Sequence, residues 1–539
     1  DLLSGKLKLL FVAPERFANE RFLGDLERVE ISMIVVDEAH CISEWGHNFR
    51  PDYLKLANLA DDLDIPVSLC LTATATPKVV RDILDSFAIA QENFIQTGLY
   101  RSNLTLRFSP SNTPMATLLK CLNERQPGPT IVYVTLQATA EDVADKLAAQ
   151  GFPARPYHAG LEGEKRKEVQ EWFMASEQAV VVATIAFGMG IDKGNICFIY
   201  HYNLPKSLEN YTQEIGRAGR DGKQAVCELL GNSRDLTVLE NFSYGDTPDY
   251  HAVVDLTTMI IQQDELFSVS TSELSYQYDM RPLVVNTLLT YLELEKVIAS
   301  TGPFYTTYQF IPQRSSQEIF ARFDRERAEF LQTMFSCAQK GRKWFSLDID
   351  EVMKKTASPR KRIVTALNYL EETGNLELRV SGIRKGYRKL RQLSTGEKAA
   401  LTARLQDKFR FQEEQDIKRL RLVVDLIGHD GCQTGFLLDY FGERQVENCG
   451  HCEFCLSGNL EKSLRVTDSA GSLQLEADTR KAIEKFLAES GDHPALVTAR
   501  QKARFFCGLT SPRTIRAKLH KHDSFGVLAG QPFALVKDW

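Results

Sequence analysis

Short strand-like runs of mostly apolar residues recur along the first 240 positions, separated by longer stretches with helical spacing. Residues 7–12, 33–36 and 67–71 form such runs, as do residues 130–134, 180–183, 197–201 and 227–230. Runs that are apolar at most positions, rather than strictly alternating, suit parallel strands covered on both faces. Strands that alternate with helical segments predict two α/β domains in tandem, over residues 1–97 and 98–240. Between 250 and 395 the pattern repeats. Phe267-Ser-Val-Ser-Thr-Ser-Glu-Leu274 recurs as Phe345-Ser-Leu-Asp-Ile-Asp-Glu-Val352, 78 positions on, and Thr287-Leu-Leu-Thr-Tyr-Leu-Glu293 recurs as Thr365-Ala-Leu-Asn-Tyr-Leu-Glu371 at the same offset. Each copy reads as a short helix, a turn, an amphipathic helix and a β-hairpin, which is a winged-helix pattern. The copies span residues 250–315 and 325–395. A charged helical segment follows within 396–460, and residues 473–539 carry two further helical patterns after a Ser/Gly-containing linker.

Two clusters in the α/β part carry chemistry. In Ile34-Val-Val-Asp-Glu-Ala-His40 an apolar run ends in adjacent carboxylates. A buried parallel strand would deliver both acids at its C-terminal edge. Asp37 suits the holding of Mg²⁺, directly or through water, and Glu38 suits the orienting and deprotonation of an attacking water. The stretch Tyr211-Thr-Gln-Glu-Ile-Gly-Arg-Ala-Gly-Arg-Asp-Gly222 places Arg217 and Arg220 three residues apart among glycines. On a helix that spacing directs both guanidiniums to one side, and each is a fork that matches phosphate oxygens. Phosphoryl transfer needs a metal-holding acid, a water-positioning group and an arginine on the developing charge.

These residues resemble the motifs of superfamily 2 helicases. Asp37-Glu-Ala-His40 resembles motif II, Leu71-Thr-Ala-Thr-Ala-Thr76 motif III, residues 181–192 motif V and residues 216–222 motif VI. His40-Cys-Ile-Ser-Glu-Trp-Gly-His-Asn-Phe-Arg-Pro-Asp-Tyr53 is similar to the aromatic-rich loop of RecQ-type DNA helicases. Tyr200-His-Tyr-Asn-Leu-Pro-Lys-Ser207 is likewise RecQ-like.

The resemblance implies two RecA-like motor domains, the first incomplete here, with ATP between them and 3′ to 5′ movement along DNA. It assigns catalysis to Asp37, Glu38, His40, Arg217 and Arg220. It implies nucleotide contacts from Thr72, Thr74, Gly190, Asp192 and Gln213, with Thr72, Thr74 and His40 as a relay. Trp45, His47, Phe49 and Arg50 follow the acids directly. Aromatic faces stack on bases without regard to sequence, so this loop is a candidate for reporting bound strand to Glu38. His158 and Thr184 are candidate contacts to the single-strand backbone.

Leu9-Leu-Phe-Val-Ala-Pro-Glu-Arg16 resembles motif Ib, yet no Gly-x-Gly-Lys-Ser/Thr phosphate loop occurs in the chain. Ser4-Gly-Lys6 lacks the glycine-rich approach whose amides cradle phosphate. The chain therefore reads as a fragment whose parent hydrolyses ATP. Residues 131–137 also lack the Ser-Arg pair expected of motif IV.

The second repeat copy is basic. It carries Lys354, Lys355, Arg360, Lys361 and Arg362 at its turn and second helix. Arg379, Arg384, Lys385, Arg388, Lys389 and Arg391 fall on its expected wing. That charge suits duplex phosphates, with Lys361, Arg362, Arg384 and Lys385 as contacts. The first copy, with few cations, reads as a packing element. Cys432 and Cys449-Gly-His-Cys452-Glu-Phe-Cys455 offer four thiolates, a structural Zn²⁺ site with no open position. His451 is a rival ligand and an iron–sulfur cluster a rival occupant. In the common RecQ plan zinc follows the motor closely and a winged helix comes after it. Here the repeats precede the cysteines, so no duplex-separating hairpin can be carried over. The tail set Arg500, Lys502, Arg504, Arg513, Arg516, Lys518 and Lys521 marks a DNA-binding or docking domain.

The composition is that of globular chains, with 43% hydrophobic and 25% charged residues. The net charge of −6 leaves nucleic-acid contact to local patches. Seven dispersed thiols fit a reducing compartment: of eleven cysteines only the four of the 432–455 group cluster. No apolar run is long enough to span a bilayer. The expected function is an ATP-dependent RecQ-type DNA helicase of the cytoplasm or nucleoid, using ATP, Mg²⁺ and Zn²⁺, with single-strand-binding or repair proteins as partners. The alternatives are a non-catalytic DNA-binding protein with a relic motor and an RNA helicase.

Overall fold

The computed structural model describes residues 6–18, 20–43, 50–188, 191–341, 343–444, 447–458 and 475–539. The described residues fall into two compact units. One comprises residues 31–250 and 403–539, the other residues 6–30 and 251–402.

The first unit holds two parallel sheets. Strands β1 (Ile34–Val36) and β2 (Ser68–Cys70) pair in parallel, with Val35 opposite Leu69. Asp37 and Glu38 follow β1, and a buried 3-10 turn, Ala39–Ile42, follows them. The second sheet has β3 (Leu104–Phe108), β4 (Thr130–Tyr133), β5 (Ala154–Tyr157), β6 (Val180–Ala183), β7 (Phe198–His201) and β8 (Ala225–Leu229). Its order is β3-β8-β7-β4-β6-β5, and every pairing is parallel. The central strands β4 and β6 are buried at every position, as their unbroken apolar runs require. The edge strands read differently. β3 alternates buried and half-buried residues, and β5 carries Pro156, which an edge tolerates because one side of its backbone needs no ladder partner.

The helix Thr395–Gly428 contributes Leu420, Val423, Leu426 and Ile427 to the core over this sheet. The tail closes a core of its own around Phe486, Phe505, Phe506 and Phe533, against which Tyr244 of helix Ser233–Asp246 packs. Arg500 donates to the Tyr244 carbonyl at 2.7 Å and pairs with Glu413 at 2.9 Å. Arg504 donates to the Thr247 carbonyl at 2.6 Å. Both arginines thus satisfy carbonyls at the end of that helix. Of the basic tail set, Arg500 and Arg504 are thus engaged within the fold.

The second unit carries one antiparallel sheet of β9 (Leu266–Val269), β10 (Ile298–Pro312), β11 (Gln339–Lys340), β12 (Phe345–Asp348) and β13 (Leu376–Lys389), in the order β11-β12-β10-β13-β9. The helix pairs Thr271–Tyr278 with Pro282–Leu294, and Ile349–Thr356 with Arg360–Glu372, are the two repeat copies. The expected wings do not fold as hairpins. Each wing segment is one long strand, and β10 pairs with β13 along nearly its whole length. Tyr305 stands opposite Ile383, its own equivalent 78 positions on, so a local twofold passes between them. Each long strand satisfies more backbone groups on the other than a short hairpin would on itself. The copies therefore share one sheet and are not separate winged-helix domains.

Residues 6–13 form no strand, and Phe11 is 89% exposed. Among the described residues β1 pairs with β2 alone, which leaves the 7–12 run no ladder. By packing, residues 6–30 group with 251–402.

Candidate active site

The acids sit where β1 ends. Glu38 has φ 51°, a left-handed conformation uncommon for a residue with a side chain. Its N–H is held by Asp37 Oδ1 at 2.9 Å. Such strain persists where the surroundings impose it and clusters at functional sites. His40 is buried, its Nδ1 3.0 Å from Thr72 Oγ1 and 3.3 Å from Glu38 Oε2. Thr72 Oγ1 accepts from the Thr74 N–H at 3.4 Å, and Thr74 Oγ1 accepts from Gln213 Nε2 at 3.5 Å. A polar chain thus runs from Glu38 to the helix Leu208–Ile215.

That helix ends at Ile215, so Arg217 and Arg220 lie on the turn beyond it and not on a helix, a correction to the spacing argument. The turn is built to a shape. Gly219 has φ 53°, and a Cβ there would stand 2.6 Å from Asn103 Nδ2 and 2.7 Å from the Lys223 carbonyl. Only glycine fits. Asn103 Nδ2 donates to the carbonyls of Gly219 and Lys223, both at 2.8 Å. Arg101 donates to those of Ala218 at 2.9 Å and Gly219 at 2.7 Å. Arg217 donates to the Gly188 carbonyl, and its Nε is buried without a partner. Arg220 pairs with Asp192 at 2.9 Å. Arg101 and Asn103 were not singled out by the sequence, since each is a lone residue in no motif.

Glu38, Thr74, Gln213, Arg217 and Arg220 line one cavity of about 530 Å³. Burial raises the Glu38 carboxyl above its ordinary range. Asp37 raises it further, while Arg217 and Arg50 oppose both. A base must be deprotonated to act, and a raised pKa keeps the proton on to higher pH. Hydrolysis is therefore expected to fall on acidification before an ordinary glutamate, near pH 4.3, would titrate. Arg50→Gln removes an opposing charge and should move that limb further up. A pH profile of kcat/KM with a limb unmoved by Arg50→Gln contradicts Glu38 as the titrating base.

The four cysteines converge. The Sγ atoms of Cys432, Cys449, Cys452 and Cys455 lie within 4.8 Å of one another. Cys449–Cys455 and Cys432–Cys452 are 3.9 Å apart, and Cys452–Cys455 3.4 Å. A tetrahedron with metal–sulfur bonds of about 2.3 Å has edges near 3.8 Å, so the thiolates fit Zn²⁺. Backbone N–H groups of Gly435, Cys449, His451 and Cys452 point at the sulfurs at 3.2–3.4 Å. His451 is engaged elsewhere. Its Nδ1 is 2.6 Å from the Leu104 carbonyl and its Nε2 3.1 Å from Tyr100 Oη, which leaves the four sulfurs as the ligand set. The module thereby braces β3, as does the Arg107–Glu453 pair at 3.2 Å.

The nucleic-acid candidates scatter. Trp45, His47, Phe49 and the nucleotide candidate Gly190 lie outside the described residues. Arg50 is exposed, its N–H on the Cys41 carbonyl. His158 is buried against Glu141 at 3.2 Å. Thr184 follows β6 and is half-buried. In the other unit Lys361 is exposed, whereas Arg362 pairs with Glu326 at 3.2 Å and lies over the Phe330 ring. Arg384 pairs with Glu273 at 3.3 Å, and Lys385 donates to Asn286 at 3.1 Å. Arg384 and Lys385 thus tie β13 to the first copy. The helix Arg360–Glu372 keeps an open face, with Tyr369 51% exposed, whereas the equivalent Tyr291 of the first copy is 3% exposed.

Residues 1–83 match the DEAD/DEAH box helicase family, residues 113–222 the helicase conserved C-terminal domain and residues 387–456 the RecQ zinc-binding family. The ATP-dependent DNA helicase RecQ of Bacillus subtilis is 41% identical over 238 residues, 44% of this chain and 40% of that protein. The ATP-dependent DNA helicase Q-like 5 of Arabidopsis thaliana is 37% identical over 308 residues, 55% of this chain and 34% of that protein. The chain thus spans well under half the length of these curated relatives. Among solved structures, a DEAD box protein from Methanococcus jannaschii aligns over 41% of the chain and 60% of its own, at 22% identity and a TM-score of 0.28. The helicase motifs, the four-thiolate zinc site and the three family matches thus make the chain similar to RecQ helicases in its motor regions and its zinc-binding module.

Proposed function

We infer that the chain is part of an ATP-dependent DNA helicase that moves 3′ to 5′ along one strand, and that it needs the phosphate-loop half of its motor to hydrolyse ATP. The reading rests on the convergence of Glu38, Thr74, Gln213, Arg217 and Arg220 on one cavity. Residues 1–97 and 98–240 then belong to the two motor lobes, and the cleft between the acids and the arginine turn takes the nucleotide. Asp37 would hold Mg²⁺, which supplies charge to the phosphates. Glu38, oriented by His40, takes the proton of the attacking water, and Thr72, Thr74 and Gln213 report its state to the arginine-bearing helix. Arg220 leaves Asp192 for the γ-phosphate, where an arginine contributes most to phosphoryl transfer. Arg217, its Nε unpaired and its charge already felt by Glu38, holds the same phosphate or the acid. The open helix Arg360–Glu372 and Lys361 grip duplex, while the Trp45–Arg50 loop, His158 and Thr184 follow the single strand. Cytoplasmic or nucleoid residence and contact with single-strand-binding or repair proteins belong to the same reading.

A relic motor has no reason to keep a glycine-shaped arginine turn and the relay that faces it. The test is ATP hydrolysis by a protein carrying both halves of the motor, with oligodeoxynucleotide or oligoribonucleotide added. Stimulation of tenfold or more by DNA, and little by RNA, is expected, on the order of what electrostatic and stacking contacts with a single strand provide. Equal stimulation by both contradicts the DNA assignment.

A further inference from the structure

The tail is seated by side chains that reach past its own core. Asn241, 2% exposed on the helix Ser233–Asp246, accepts from the Phe533 N–H at 3.0 Å and donates to the Gln531 carbonyl at 3.2 Å. The Tyr244 and Phe533 rings stack 5.4 Å apart. Those contacts dock the domain, but they do not account for Arg500. Its side chain is 16% exposed and meets acceptors from two different segments. It donates to the carbonyls of Tyr244 at 2.7 Å and Thr247 at 3.4 Å, and pairs with Glu413 at 2.9 Å. Glu413 is largely buried as well. Taking two charges out of water is costly, and apolar surface holds a docked domain equally well. A pair of this kind therefore contributes a defined geometry more than adhesion.

That geometry falls at a particular place in the chain. Besides a passage at 30–31, the chain leaves the first unit at 250–251 and returns to it at 402–403. Thr247 stands just before the departure. The connection 247–249 is short, and Pro248 restricts Thr247 to the extended backbone it shows, φ −71° and ψ 126°. The return runs through a helix, Thr395–Gly428, whose 34 residues make a stiff rod of about 51 Å. Glu413 lies about 15 Å along it from residue 403, inside the first unit. Gln406 of the same helix donates to the Tyr250 carbonyl at 3.4 Å, so the departing and returning segments run side by side here. Both segments are also rooted in the six-stranded sheet's lobe. Asp235, in the first turn of helix Ser233–Asp246, accepts from Asn203 Nδ2 at 2.8 Å and from the Leu204 N–H at 3.1 Å. Leu420, Val423 and Leu426 of the long helix pack into the core over that sheet.

We propose that Arg500 is a positioning residue that clasps these two segments, so that movement of the 98–240 lobe passes into the repeat-bearing unit instead of being taken up by rotation at 247–249. The proposal rests on the helicase reading above, in which the open helix Arg360–Glu372 grips duplex while the motor steps. A single short connection can turn about its own backbone dihedrals. Two segments joined at a fixed spacing turn only together. Arg504, which donates to the Thr247 carbonyl at 2.6 Å, secures the departing segment, and Arg500 joins that segment to the returning helix. Arg500 does not line the nucleotide cavity. Its loss therefore separates ATP turnover from the work that turnover performs.

The test measures ATP hydrolysed and base pairs opened on a 3′-tailed duplex in one sample, by a protein with both halves of the motor. Arg500→Ala is expected to keep DNA-stimulated ATP turnover within about twofold of wild type. It is expected to open about tenfold fewer base pairs per ATP, the scale of one lost hydrogen bond to a charged group. Glu413→Gln keeps the shape of the joint and both carbonyl bonds of Arg500. It is expected to lower the same ratio about threefold, the scale of a weakened bond, and it carries the test should Arg500→Ala not fold. An unchanged ratio in the folded variants overturns the clasp. So does a fall of turnover and opening in equal proportion, the mark of a domain that only supports the fold. A wild type that hydrolyses no ATP, or hydrolyses it and opens no duplex, contradicts the helicase reading itself.

Discussion

Glu38→Gln is expected to lower ATP turnover by about a thousandfold, within the 10²–10⁴ range for a positioned general base, while Kd for single-stranded DNA stays within about twofold of wild type. The substitution keeps the shape and the hydrogen bond to His40 but removes the basic oxygen. It also removes a charge that burial and Asp37 both disfavour, so the thermal midpoint should hold or rise. That pairing of lost turnover with retained stability separates a base from a structural acid. Arg220→Ala should lose a comparable or larger factor, on the order of the 10³–10⁵ attributed to an arginine on the transferring phosphate. It also frees Asp192, which is 90% exposed and tolerates that loss. Steady-state kinetics on both variants, with DNA binding measured beside them, decides the matter. Turnover near wild type in Glu38→Gln removes Glu38 from the chemistry.

Cys452→Ser is expected to destabilise the chain far more than an ordinary buried substitution. Cys452 is fully buried, and its sulfur lies beside those of Cys432 and Cys455. A structural zinc site contributes folding free energy outright, about 10 kcal/mol or more in isolated modules. Here the module is braced by a larger core, so a loss of several kcal/mol and a fall in melting temperature of about 10 °C is the scale to expect. The damage should spread, because Cys452 bridges to Leu106 of β3 and Glu453 pairs with Arg107. Wild-type protein treated with a strong chelator should approach the variant's melting temperature, and the variant should not respond. Zinc content near one per chain in wild type, and near zero in the variant, is the direct check. A chelator-insensitive wild type contradicts a structural zinc.

Much of the molecule was legible where a local pattern and its long-range role coincide. The central strands β4, β6 and β7 are buried on both faces and read as apolar runs. The four cysteines announce themselves by spacing. The edge strands β3 and β5 did not stand out, because Leu-Thr-Leu-Arg-Phe alternates and Ala-Arg-Pro-Tyr contains a proline, the marks of an edge rather than a centre. The repeat was visible, but its pairing was not. Nothing local distinguishes a strand that folds back on itself from one that pairs with its own repeat, since both present the same alternation. The arginine turn shows the same divide. Arg217 and Arg220 carry a motif, whereas Arg101 and Asn103, which hold the turn in shape, lie more than a hundred residues upstream. Lys361 could be read as exposed charge, but Arg384 and Lys385 are committed to partners that only the fused sheet brings near.

The most direct measurement is strand displacement from duplexes bearing a 3′ or a 5′ single-stranded tail, by a protein with both halves of the motor, with ATP and Mg²⁺. Displacement from the 3′-tailed substrate, absent without ATP and absent in Glu38→Gln, is the expected result. Displacement of both substrates without ATP, or equal displacement by Glu38→Gln, contradicts a motor driven from the Glu38–Arg220 cleft.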